Sequence, residues 1–86
     1  MRLDKFLKVS RLIKRRTLAK EIADQGRIIV NGNVAKAATN VVVGDELKIQ
    51  FGQRLLTLQI DQLKETVKKE EASDLYTIKS EEYKEN

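Results

Sequence analysis

Arg2, Lys5, Lys8, Arg11, Lys14, Arg15 and Arg16 follow one another at intervals of three residues or fewer, and Lys20 and Lys36 extend the series. Ammonium and guanidinium groups at this density neutralise the phosphate oxygens of a polyanion and fork onto them. Positions 2–20 hold eight basic residues against a single acid, Asp4. Residues 1–36 sum to +7 (10 basic less 3 acidic) and residues 37–86 to −3 (7 basic less 10 acidic), giving the chain its net +4. The bland alternative is a solvated helix face that only aids solubility. Polarisation on this scale favours contact with nucleic acid, and RNA is the expected partner.

Within the basic set the arginines rank first, because a planar guanidinium forks onto phosphates and stacks on bases. Arg2, Arg11, Arg15 and Arg16 are therefore the leading RNA contacts. Lys5, Lys8, Lys14 and Lys36 join them as point charges. Lys20 lies one turn from Asp24, so two readings stand for it: pairing within its own helix or contact with RNA. Asp4 has two readings. It is either an acid well placed in the first turn of a helix, or a group that orients a neighbouring arginine or accepts from an RNA hydroxyl.

Other chemistry is poorly provided for. The chain has neither histidine nor cysteine, which removes the usual zinc ligands, thiol nucleophiles and imidazole bases. Ser10, Ser73 and Ser80 lack a histidine partner, and no Gly-rich phosphate loop is present. No catalysis, no cofactor and no metal are expected. Phe6 and Phe51 fall at core-facing positions, leaving Tyr76 and Tyr83 in the C-terminal region. A sheet with few stacking platforms suits recognition of folded RNA through its backbone and shape.

These groups need a frame. Leu3, Phe6 and Leu7 at i, i+3, i+4 predict a helix over 2–9, followed by a basic connector anchored by Leu12 and Ile13. A second helix over 17–25 places Leu18, Ala19, Ile22 and Ala23 inward, and Gly26 supplies the positive φ of its C-terminal stop. Ile28–Val30, Asn31-Gly32 and Asn33–Ala35 spell a tight β-hairpin, since both turn positions of the favoured type need φ > 0. Val41–Val43 lead into a Gly44-Asp45 turn. Leu47, Ile49 and Phe51 then alternate with polar residues, and after Gly52-Gln53 the strand returns through Leu56, Leu58 and Ile60.

From Asp61 the composition becomes mixed-charge. A short solvated helix around Leu63 and Val67 is expected, then an apolar cluster of Leu75, Tyr76 and Ile78 docked on the domain, then a frayed end over 79–86. The expected fold class is α+β: two N-terminal helices on a small, mainly antiparallel sheet, with a short helical C-terminal tail. Residues 1–60 form the RNA-binding domain in this reading and 61–86 a charged extension. No window holds the ~18–20 apolar residues of a membrane span, and the charged start has no signal-peptide core. A cytoplasmic monomer with no membrane partner is expected.

The run Arg16-x-x-Ala19-x-x-Ile22-Ala23-x-x-Gly26-x-Ile28-x-Val30-Asn31-Gly32 resembles the signature of the S4-like RNA-binding domain, the αL motif. The opening Arg2-Leu3-Asp4-Lys5-Phe6-Leu7, with Arg11 and Lys36, is similar to its small heat-shock-type, ribosome-associated branch. Within that branch, the stretch Arg11 to Glu21, the Phe51-Gly52-Gln53 turn and the Lys68-Lys69-Glu70-Glu71-Ala72 tail resemble the RqcP family of ribosome-associated quality control. The resemblance covers most of the chain. Pseudouridine synthases and a tyrosyl-tRNA synthetase carry the same module, but 86 residues leave no room for their catalytic domains.

The resemblance implies binding to stalled large ribosomal subunits that carry peptidyl-tRNA, with contacts to rRNA and tRNA. It further implies holding that tRNA in the P site while an RqcH-type tailing factor adds alanines. One position departs from the wider family, where Ser or Thr often stands at Arg15 to cap the second helix. Thr17 is the nearest substitute, and Lys14, Arg15 and Arg16 oppose the helix dipole by about 0.3–1 kcal/mol each unless a phosphate sits among them. Two other functions stay open: an rRNA-binding assembly or heat-shock factor with no tRNA dependence, and a nucleoid-type DNA binder, which the αL signature disfavours.

Overall fold

The computed structural model describes residues 1–83. Helices α1 (Leu3–Val9) and α2 (Arg16–Asp24) pack on a five-stranded sheet of β1 (Ile28–Val30), β2 (Asn33–Val34), β3 (Glu46–Phe51), β4 (Arg54–Ile60) and β5 (Tyr76–Tyr83). The spatial order is β2-β1-β3-β4-β5, and every neighbouring pair is antiparallel.

Strand alternation puts one apolar face toward the helices. Ile28 lies opposite Ile49, Val30 opposite Leu47, and these in turn face Leu56 and Leu58 of β4. All six are buried together with Leu3, Phe6 and Leu7 of α1 and Ala19, Ile22 and Ala23 of α2. The two alanines bring α2 close to its neighbours, as small side chains do. Leu18 departs from expectation: it is 46% exposed, because at ~100° per residue it lies to one side of the stripe formed by Ala19, Ile22 and Ala23. Of the two connector anchors, Ile13 is buried and Leu12 half-buried.

The hairpin turn forms as its residues dictate, with Asn31 at φ +50° and Gly32 at φ +87°. Asn31 also braces the sheet end. Its side chain donates to Asp45 Oδ1 and accepts from the Glu46 N–H, both at 2.9 Å. An amide engaged at both ends serves the turn rather than a ligand.

The C-terminal region corrects the expected helical tail. Residues 61–68 form no helix, Lys69–Leu75 make a 3-10 helix (η1), and Tyr76–Tyr83 join β4 as an edge strand. The reason lies in pairing: Ile78 meets Leu58 and Tyr76 meets Ile60, which extends the apolar face and satisfies the outer backbone groups of β4. A bulge between Thr57 and Leu58 resets the register further along. The expected docking of Leu75 and Tyr76 is met, with Leu75 1% exposed and Tyr76 half-buried; Ile78 is 44% exposed. The expected fraying over 79–86 gives way to strand through Tyr83, and its last part, 84–86, lies outside the described residues.

Candidate nucleic-acid interface

The basic residues are organised around one buried acid. The start of α1 has no side-chain cap; instead the Leu3 and Asp4 N–H groups donate to Thr39 O (2.8 Å) and Ala37 O (3.2 Å) of a loop that returns beside it. The Lys5 N–H donates to Asp4 Oδ1 at 2.8 Å. Asp4 is thereby held 3% exposed with its carboxylate turned toward two guanidiniums. Arg2 donates from Nε to Oδ1 (3.2 Å) and from Nη2 to Oδ2 (3.3 Å). Arg16, twelve residues on, donates from Nη2 to Oδ1 at 3.3 Å, with its Nε 3.3 Å from Oδ2.

Two cations on one anion leave a surplus positive charge. The arginine side chains stay 50% and 45% exposed, so each keeps N–H groups for an outside acceptor. Burial alone would push the Asp4 carboxyl upward. Hydrogen bonds and charge from Arg16 and Arg2 outweigh that and hold it below its ordinary 3.8. The reading of Asp4 as an orienting group fits this geometry, since a carboxylate so enclosed has little surface for an RNA hydroxyl.

Arg11 occupies the turn between the helices. It takes φ +60°, a left-handed conformation that costs a non-glycine residue roughly 1–2 kcal/mol. Its N–H donates to Lys8 O (3.0 Å) and the Ile13 N–H to Leu7 O (3.1 Å), which closes the end of α1 as a glycine there usually does. An arginine at a glycine-like position places a guanidinium beside Lys8 and Lys14. Arg15 stands just before α2, extended and exposed, and makes no side-chain cap. Thr17 is not the substitute cap either. Among the described residues the N–H groups of Arg16, Thr17 and Leu18 have no acceptor.

Two grooves flank this corner. One, of about 560 Å³, lies between the connector and η1 and is bordered by Lys8, Arg11, Lys14 and Lys69. The other, of about 270 Å³, is bordered by Lys5, Lys8, Arg11 and Arg16, with Glu65 at its rim. Lys5 is paired with Glu65, an exposed acid from the far end of the chain. Lys36 is exposed and opens the turn that supports α1 through Ala37 and Thr39.

The predicted residues thus separate into the pair fixed by Asp4, a ridge of Lys8, Arg11 and Lys14, the exposed Arg15 at the head of α2, and the outlying Lys36. Lys69 and Glu65 join this face without any signal in the sequence, and Tyr76, an aromatic of the C-terminal region that could stack on a base or dock on the domain, borders it too. All three arrive from the other end of the chain. Among the described residues no cluster of acids is arranged to hold a metal, and no helix is long and apolar enough to cross a membrane.

Comparison with known proteins shows the family of the chain. A family model described as the S4 domain matches residues 1–47. A Bacillus subtilis protein named RQC P-site tRNA stabilizing factor is 70% identical over 82 residues, covering 95% of each chain. Its namesake in Halalkalibacterium halodurans is 73% identical, covering 95% of this chain and 93% of that one. The fold is similar to trimeric heat shock protein 15 of Vibrio cholerae, with a TM-score of 0.86 and 30% identity over 93% of this chain and 82% of that one.

Proposed function

This chain belongs to the S4 domain family, and from that membership we propose that it is an RNA-binding factor of ribosome-associated quality control. It binds large ribosomal subunits that still hold peptidyl-tRNA, touches rRNA and tRNA together, and keeps that tRNA in the P site. Relatives at 70% and 73% identity are named for that stabilisation. The observation that carries the reading is the buried Asp4 carboxylate, which fixes Arg2 and Arg16 as an outward-facing pair beside Lys8, Arg11 and Lys14.

The mechanism is differential binding without bond chemistry. A rigid basic corner that fits one arrangement of tRNA and rRNA lowers the free energy of that arrangement and raises its population. Arginines already held by Asp4 lose less freedom on meeting phosphate, so more of their attraction appears as affinity. Arg2, Arg11, Arg15 and Arg16 contact RNA, Lys5, Lys8, Lys14 and Lys36 add charge, and Asp4 positions. Residues 1–60 carry the basic corner, and the extension that follows borders it through η1 and the start of β5. The protein is not an enzyme, acts as a cytoplasmic monomer, and works beside an RqcH-type factor that adds alanines to the stalled chain.

The test is recovery of tagged protein from lysate and analysis of the large subunits it brings. Subunits containing tRNA are expected. Recovery of only immature, tRNA-free particles would refute the reading and favour an assembly factor.

A further inference from the structure

We propose that the groove between the connector and η1 is a binding site for one unpaired nucleotide of structured RNA, its base laid on Tyr76 and its phosphates held by Lys8, Arg11, Lys14 and Lys69. The site rests on the RNA-binding reading above and adds a ligand to it.

The groove brings together parts from both ends of the chain. Lys8 lies in the last turn of α1, Arg11 and Lys14 belong to the connector, Lys69 opens η1, and Tyr76 begins β5. Its volume of about 560 Å³ sits within the ~300–1,000 Å³ usual for small-ligand sites. No carboxylate lines it among the described residues, whereas the neighbouring groove has Glu65 as a built-in counter-ion for Lys5. Four cations with no internal acid await an external anion.

The tyrosine decides what kind of anion. Phosphates of a paired stem need only cations, and the corner already offers those at Arg2 and Arg16. Tyr76 is half-buried with its body against the core, and its hydroxyl makes no hydrogen bond among the described residues. A tyrosine that packs on the core and borders a basic groove supplies a stacking surface, which only an unpaired base can use. Ala72 on η1 keeps the adjoining wall low. An acidic peptide would satisfy the cations but leave the ring without a matching face.

The experiment uses the full chain carrying Tyr83→Phe, which leaves Tyr76 as the sole tyrosine in a chain without tryptophan. Two RNA hairpins of equal length are titrated, one fully paired and one with a single-nucleotide bulge, with adenosine monophosphate in a separate arm. The bulged hairpin is expected to quench the tyrosine emission and to bind about tenfold tighter than the paired one, the lower part of the range for a base–aromatic stack. Read by fluorescence anisotropy of end-labelled hairpins, since these variants retain no tyrosine, Tyr76→Phe keeps that preference and Tyr76→Leu abolishes it, with affinity for the paired hairpin unchanged. Quenching by adenosine monophosphate at comparable concentration would overturn the RNA source in favour of a free nucleotide. Equal binding of the two hairpins without quenching would overturn the site. Should Tyr76→Leu fail to fold, the quench in the otherwise intact chain decides between these outcomes. Large-subunit binding that depends on Arg16 is read separately, so loss of the nucleotide site leaves the proposed function standing.

Discussion

Replacing Asp4 with asparagine separates an orienting acid from a simple charge count. The substitution preserves shape and an acceptor for the Lys5 N–H, but removes the charge that holds Arg2 and Arg16 at 3.2–3.3 Å. On charge alone, net +4 becomes +5, and affinity for RNA should rise. On the positioning argument it should fall. Each long side chain released from its anchor must be re-ordered on binding, at about 0.5–1.5 kcal/mol. Two such side chains give about 1–3 kcal/mol, or roughly 5- to 150-fold weaker binding. Folding suffers too, though both guanidiniums are about half in solvent, which screens the lost attraction. A loss of about 1–2 kcal/mol is expected, equivalent to a fall in Tm of roughly 5–15 °C for a domain of this size. Co-sedimentation with large subunits near 20 °C and about 0.15 M salt keeps the variant folded while affinity is measured. Binding as tight as the parent's, or tighter, would refute the positioning argument.

Arg16→Ala should weaken subunit binding by roughly 1–3 kcal/mol with folding nearly intact, since Arg2 still neutralises Asp4; unchanged co-sedimentation would exclude Arg16 from the interface. Glu65→Gln should release Lys5 into the smaller groove and raise RNA affinity severalfold at low salt, an effect that disappears as salt increases. The Asp4 carboxyl titrates below its ordinary 3.8 in the folded chain, so the unfolded chain takes up that proton first. Its contribution to stability is therefore complete above 3.8 and drains away as pH falls through the folded value; acid melts of Asp4→Asn should lack that part of the acid limb. Leu75→Ala removes a side chain 1% exposed at the joint between η1 and β5 and should cost about 2–5 kcal/mol by denaturant melting, whereas a dispensable tail would show no change.

Local rules carried much of the fold. The i, i+3, i+4 spacing of Leu3, Phe6 and Leu7, the positive φ at Gly26, the Asn31-Gly32 turn and the alternation through Leu47, Ile49, Leu56 and Leu58 all correspond to observed elements. Each depends on residues a few positions apart, so the chain states it directly. The C-terminal strand escaped the same rules. Tyr76–Tyr83 sets Thr77, Lys79, Ser80, Glu81 and Glu82 among its apolar residues, and its strand state comes from the free edge of β4, which lies on the far side of η1 in the chain.

The candidate site divides along the same line. Charge density, the ranking of arginine over lysine and the lack of histidine and cysteine are properties of composition and order, so the amino acids alone led to the expectation of a polyanion at the basic end. Which cations act together was decided by packing. Arg16 reaches Asp4 only because α1 and α2 meet at a corner, Glu65 claims Lys5 across sixty residues, and Lys69 and Tyr76 wall a groove whose other side is the connector. Electrostatic attraction and stacking act over a few ångströms in space, and only the folded chain sets those distances.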